Sequence, residues 1–329
     1  MPLELYPSII YQGDLSPDAV GDDINEKVEG IYQACKGFGT DELRLIKVLA
    51  VLSPEDRCKV SLRYNEVHGK ALKDVLKREC RGDFGQALQF LAVPPDVAEC
   101  DMIKKACKGV GTDETLIYSV VGGRSNREIE ILKKQFFNIY EKDLGRQLDS
   151  ELSGNFEKMV FYCLQGMEEK YDPDYHTDDK VSDDVATFYK MGQGKFGTDE
   201  GGLFKIICTS PAEHLKNVNQ KYADKHDVTL FKAIDDEMGG KTKDATLYLL
   251  GMKLKPYETV AKLIQKACKG IGTNELLLTC TIIRFQPHLP HVMAAYKELT
   301  GKTLQETLKK EIGGDYRRLL TELVDANSS

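Results

Sequence analysis

Apolar residues recur along this chain at helical spacing. Ile24, Val28, Ile31 and Cys35 fall on one helix face, as do Leu45, Ile46, Leu49 and Leu52 a little further on. Val260, Leu263, Ile264, Ala267 and Cys268 repeat the pattern near the other end. No stretch alternates at period two between turn residues, so the pattern predicts helices and no strands. Helix starts are marked as well. Ser53-Pro54-Glu55-Asp56, Ser125-Asn126-Arg127-Glu128 and Ser210-Pro211-Ala212-Glu213 each offer a capping serine with an acid three residues on. A fourth copy has Pro287 in the slot but no serine.

These landmarks keep step with a phrase that returns four times: KGFGTDE at Lys36–Glu42, KGVGTDE at Lys108–Glu114, GKFGTDE at Gly194–Glu200 and KGIGTNE at Lys269–Glu275. The glycines before the threonine, Gly39, Gly111, Gly197 and Gly272, are 72, 86 and 75 residues apart. The fold expected is therefore all-α, with four homologous repeats of about 70 residues, roughly five helices each. The divisions read as a short N-terminal segment at 1–21, repeats at 22–93 and 94–167, an acidic linker at 168–184, and repeats at 185–253 and 254–329. The linker, EEKYDPDYHTDDKVSDD, is poor in apolar residues and reads as a solvated connector.

A second phrase, E-x-x-G, travels with the first. Glu79, Glu151 and Glu237 each lie 40 residues after their loop glycine, and Glu311 lies 39 after Gly272. Glycines permit positive φ, which lets successive carbonyls turn to one side of a loop. Carbonyl oxygens with one carboxylate suit a hard divalent cation, Ca²⁺ better than Mg²⁺, which demands a tighter octahedron. The plainer alternative is a helix–helix turn in which glycine ends one helix and threonine caps the next. That alternative gives no reason for a glutamate at a fixed distance. Between the glycines stand Phe38, Val110, Phe196 and Ile271, apolar residues at the tip of a loop. They either fold back onto their own repeat or anchor shallowly in a lipid interface.

Composition narrows the field. The 329 residues are 41% hydrophobic and 29% charged, with a formal charge of −7, which argues against a general nucleic-acid binder. No run of about 18 apolar residues suggests a membrane-spanning helix. The start, MPLELYPSII, lacks the pattern of a secretory signal. Nine cysteines without a C-x-x-C pair favour free thiols in a reducing, cytoplasmic compartment. Gly192–Gly197 matches G-x-G-x-x-G, but a helical pattern rather than a strand precedes it, so a dinucleotide site is not expected. No catalytic motif is present, and no enzyme activity is expected. The remaining alternative is a metal-independent helical-repeat scaffold for protein interactions.

Four copies of G-x-G-T-[DN]-E, each with an acid about 40 residues on, resemble the annexins over nearly the whole chain, from about Asp22 to Ala326. The resemblance implies a slightly curved, all-α disc that binds acidic phospholipid membranes in the presence of Ca²⁺, its cofactor, on the cytoplasmic face. Carried over by position, it implies metal sites at the carbonyls of Cys35, Gly37 and Gly39 with Glu79, and of Cys107, Gly109 and Gly111 with Glu151. In repeat 4 they are Cys268, Gly270 and Gly272 with Glu311. In repeat 3, where Lys195 replaces the first glycine, they are Gly192, Lys195 and Gly197 with Glu237. Weaker secondary sites are implied at Thr40 with Glu42 and Thr112 with Glu114, and membrane contacts at Phe38, Val110, Phe196 and Ile271. No protein partner is implied, and self-association on the membrane is left open.

Overall fold

The computed structural model describes residues 2–328 other than 14, 18–19, 110, 193–199 and 271, with residues 191 and 192 described in their backbone only. Among the described residues every regular element is helical. A short helix, α1 (Ser8–Gln12), precedes four sets of five. Repeat 1 holds α2 (Asp23–Ala34), α3 (Glu42–Leu49), α4 (Pro54–His68), α5 (Leu72–Glu79) and α6 (Gly82–Leu91). Repeat 2 holds α7 (Pro95–Ala106), α8 (Glu114–Val121), α9 (Asn126–Tyr140), α10 (Leu144–Asp149) and α11 (Gly154–Gln165). Repeat 3 holds α12 (Asp178–Gly192), α13 (Gly201–Thr209), α14 (Ala212–His226), α15 (Leu230–Glu237) and α16 (Gly240–Leu254). Repeat 4 holds α17 (Pro256–Ala267), α18 (Glu275–Arg284), α19 (Leu289–Thr300), α20 (Leu304–Glu311) and α21 (Gly314–Ala326).

The helical periodicity in the sequence is the periodicity of burial. Ile24, Val28 and Ile31 are buried on α2, Leu45, Ile46 and Leu49 on α3, and Val260, Leu263, Ile264 and Ala267 on α17. The chain divides into two compact units, Met1–Glu4 with Ile103–Thr259, and Leu5–Met102 with Val260–Ser329. Inside the first, α11 packs on α13 and α16 on α8, so the second and last helices of repeats 2 and 3 form one bundle. Inside the second, α21 packs on α3 and α18 on α6, the same exchange between repeats 4 and 1. Each repeat thus completes its apolar core with a neighbour's helices, as expected of units too small to bury enough alone.

Three expectations need correction. Ser53 and Ser125 do cap α4 and α9, accepting from Asp56 N at 3.0 Å and Glu128 N at 3.3 Å. Ser210 does not cap α14. It ends α13, and its carbonyl accepts from Lys253 Nζ at 3.1 Å. In repeat 4 the slot of Pro287 is a 3₁₀ turn, Gln286–His288, leading into α19.

The acidic stretch 168–184 is only partly a connector. α12 begins at Asp178, and Asp184 and His176 are buried. Asp184 Oδ2 is 2.7 Å from His214 Nε2, and Lys180 Nζ is 2.7 Å from Asp184. Burial pushes the Asp184 carboxyl up, but its bonds to His214 and Lys180 pull it further down, so it sits below the usual aspartate value. The acids had concealed helical positions that pair inward.

Candidate metal centres

Of the four repeated phrases, that of repeat 1 lies wholly within the described residues and those of repeats 2 and 4 do so except for Val110 and Ile271; over the described residues the three fold alike. In repeat 1, α2 ends at Ala34 and the chain doubles back so that Asp41 N donates to Ala34 O at 2.9 Å. In repeat 2, Asp113 N donates to Ala106 O at 2.9 Å, and in repeat 4 Asn274 N donates to Ala267 O at 2.8 Å. Between these anchors, Gly37 and Gly39 have φ of +104° and +87°, Gly109 and Gly111 +116° and +89°, and Gly270 and Gly272 +121° and +87°. A Cβ at any of the six would meet nothing within 4 Å. The glycines are there for backbone conformation and not for close packing. No described hydrogen bond ends on the carbonyls of Cys35, Gly37 or Gly39, or on those of their counterparts in repeats 2 and 4. Among the described residues these oxygens are left open to another donor or a cation.

The threonine does not cap the following helix. That work falls to the next residue: Asp41 accepts from Arg44 N, Asp113 from Leu116 N and Asn274 from Leu277 N, each at 2.9 Å. Asparagine caps as well as aspartate, so Asn274 in place of an acid changes the cap's charge and not its geometry. The threonine hydroxyl donates instead to the distant glutamate. Thr40 Oγ1 reaches Glu79 Oε2 at 3.2 Å, Thr112 Oγ1 reaches Glu151 Oε2 at 3.4 Å, and Thr273 Oγ1 reaches Glu311 Oε2 at 3.3 Å. The loop and the acid 39 or 40 residues on therefore meet in space in all three repeats. Repeat 4 lacks one residue of the interval, yet the contact is kept. Its third helix, α19, has 12 residues where α4 and α9 have 15, with the 3₁₀ turn before it.

The electrostatics of these carboxylates are unusual for structural residues. Glu79 and Glu311 are the last residues of α5 and α20, the helix end that disfavours negative charge. The glycine three residues on, Gly82, Gly154 or Gly314, opens the next helix at a φ near +60° and keeps the turn open. Burial, reinforced by the glutamate's charge, pushes the thiol of Cys35 up to about 12 and those of Cys107 and Cys268 up to about 11. These sulfurs stay protonated, so a cation here would be met by the cysteine carbonyl and not by a thiolate. No three His, Cys, Asp or Glu side chains converge on a common point among the described residues. A site with one carboxylate and backbone oxygens would not need them to.

The remaining predicted residues divide. Glu237 ends α15 and is exposed, and Gly192 ends α12, whereas Lys195, Phe196 and Gly197 lie outside the described residues. α12, not a strand, leads into the G-x-G-x-x-G sequence. Phe38 projects fully into solvent, at 111% of its reference exposure, while Val110 and Ile271 are outside the described residues. At the secondary positions, Thr112 O already accepts from Glu114 N at 3.1 Å, and Glu114 is ion-paired with Lys241. Lys241 is therefore a built-in competitor for that position. Two features escaped the sequence reading. One is the threonine–glutamate bond, for which the only signal was threonine's presence in every copy. The other is an open cleft of about 610 Å³ in the second unit, lined by Glu42, Glu79, Asp83, Glu275, Glu311 and Asp315 from repeats 1 and 4.

The annexin family profile matches four segments, residues 26–91, 98–162, 183–249 and 259–323. The chain belongs to the annexin family. It is 32% identical over 303 residues to annexin A7 of Dictyostelium discoideum, covering 92% of this chain and 65% of that protein. It is 30% identical over 307 residues to annexin A13 of Mus musculus, covering 92% and 96%. The solved structure of annexin III superposes with a TM-score of 0.86 at 27% identity, covering 93% of this chain and 95% of that one. Annexins as a class bind phospholipid in a calcium-dependent way, and that general property comes with membership; as a class they are generally not enzymes. No described helix is long and apolar enough to cross a membrane.

Proposed function

We propose that this annexin attaches to acidic phospholipid surfaces, on the cytoplasmic face of membranes, through its interhelical loops. The metal would be held in repeat 1 by the carbonyls of Cys35, Gly37 and Gly39 with the carboxylate of Glu79. In repeat 2 the holders would be Cys107, Gly109, Gly111 and Glu151, and in repeat 4 Cys268, Gly270, Gly272 and Glu311. Gly192, Lys195, Gly197 and Glu237 are the counterparts in repeat 3. Held there, Ca²⁺ would supply a double positive charge able to attract the anionic head of a lipid to the loop.

The observation that carries this reading is the threefold recurrence of one loop: open carbonyls, two left-handed glycines and a threonine that tethers a glutamate. Each threonine holds the carboxylate beside the loop before a cation arrives, so less side-chain freedom is lost on binding. Each glutamate is the only full negative charge in its ligand set, which keeps single-site affinity weak. Phe38, already solvated, gains by entering the headgroup region, as would the apolar residues at its counterparts. A formal charge of −7 repels the chain from an anionic surface, and four divalent cations would bring it to +1. Several loops engaging one surface add avidity.

The test is cosedimentation with phosphatidylserine vesicles. Binding is expected in millimolar-range or lower Ca²⁺, with release by chelator and no substitution by Mg²⁺. Equal binding in chelator would overturn the role of the metal, and no binding with or without Ca²⁺ would support the metal-independent protein scaffold.

A further inference from the structure

Helices α11 of repeat 2 and α13 of repeat 3 pack together inside the first unit. Their contact brings Cys163 Sγ to 3.8 Å from Cys208 Sγ, although the residues are 45 apart in sequence. Neither residue is fully buried. Both line a cavity of about 30 Å³ together with Arg124, Asn126, Glu168 and Lys253. That is room for about one molecule of the size of water or hydrogen peroxide.

The walls are firmly tied. Glu168 N donates to Asn126 Oδ1 at 2.8 Å, and Asn126 Nδ2 donates back to Glu168 O at 2.9 Å. Lys253 Nζ pairs with Glu168 Oε2 at 2.6 Å. Glu169 N donates to Thr209 O, next to Cys208, at 2.7 Å. The two sulfurs therefore face each other across a framework held from three segments of chain. The hydrogen bond with Cys208, and then burial, push the Cys163 thiol up, while the nearby Lys253 charge pulls it the other way. A bond between the sulfurs needs them to close from 3.8 Å to about 2 Å.

We propose that Cys163 and Cys208 form a dithiol site that a hydroperoxide oxidises to a disulfide joining repeats 2 and 3. The sulfur that first loses its proton attacks one peroxide oxygen. The O–O bond breaks, leaving a sulfenic acid, and the departing hydroxide takes up the released proton to become water. The second sulfur then attacks the sulfenic sulfur. The S–O bond breaks, and the hydroxide leaves as a second water with the second thiol's proton. Two thiols and one hydrogen peroxide give one disulfide and two waters, with two electrons passing from sulfur to oxygen. The product staples a 45-residue segment, which includes the stretch leading into the third loop, and restricts the unfolded chain.

The proposal is independent of metal or lipid binding and is tested in calcium-free buffer on the full chain. The protein is treated with one or two equivalents of hydrogen peroxide, blocked with N-ethylmaleimide and digested for mass spectrometry. The expected result is a peptide pair linked through Cys163 and Cys208, the loss of two of the nine thiols, and their return with dithiothreitol. The melting midpoint should rise by about 5 °C or more. Cys163→Ser and Cys208→Ser should each abolish the link and the rise. In each variant the remaining sulfur should stop at a sulfenic acid that dimedone traps. Recovery of both sulfurs as alkylated thiols, or pairing of either with a different cysteine, overturns the proposal.

Discussion

Replacing Glu79 and Glu151 together by glutamine isolates the part played by the tethered carboxylates. Glutamine keeps the shape and can still accept from Thr40 or Thr112, so the loop should persist while the charge is lost. Glu79 is exposed and Glu151 half-buried, so water screens both. Two unit charges 4 Å apart in water attract by about 1 kcal/mol, which doubles to about 2 kcal/mol for a divalent cation. The pair of substitutions then removes about 4 kcal/mol, and if four cations bind in one coupled transition the midpoint moves by roughly fivefold. The assay is vesicle cosedimentation across a calcium titration. The control is Glu130→Gln with Glu322→Gln, two exposed acids well away in sequence from the loops and their glutamates, which change the net charge equally. A fivefold shift in the first variant and little in the second supports local ligation. An equal shift in both would refute it, because the effect would then belong to net charge alone.

Two further outcomes follow from single side chains. Phe38→Ser should leave the melting midpoint unchanged, since the ring touches only solvent, but weaken vesicle binding at saturating calcium by roughly fivefold, about 1 kcal/mol of lost interfacial burial, read by the same sedimentation assay. Asp96 is buried, and burial pushes its carboxyl from 3.8 up to about 6. Between those values the folded chain holds a proton the unfolded chain has lost, so stability should fall as pH rises from about 4 to 6. Asp96→Asn should flatten that slope and add about 2–3 kcal/mol at pH 7, measured by urea unfolding at several pH values.

Most of the architecture was written in local pattern, because a repeat must present the same apolar stripe and the same turn each time it recurs. The positions of Ile24, Val28 and Ile31, or of Leu45, Ile46 and Leu49, could not be solvated without losing the core. What local pattern could not carry was partner choice across the chain. The plainer alternative gave the cap to threonine, yet Asp41, Asp113 and Asn274 stand one residue further on and cap at least as well. Only the fold, by bringing the end of α5, α10 or α20 beside the loop, gives the threonine hydroxyl a better use. The acidic linker misled for a related reason. Composition treats Asp184 as solvated, but its value depends on His214, 30 residues on, and on Lys180.

The same reasoning separates the two kinds of cysteine in this chain. Cys35, Cys107 and Cys268 recur at one repeat position, and burial, reinforced by the charge of its own repeat's glutamate, keeps each thiol protonated. Cys163 and Cys208 occupy different positions in their repeats, on α11 and α13, so no internal periodicity announces them. They meet because the last helix of one repeat packs on the second helix of the next, the exchange by which each pair of repeats completes its core. Features repeated four times are legible as chemistry common to all the loops. A feature that depends on the pairing of repeats, as this sulfur pair does, can belong to this chain alone and emerges only from the packing.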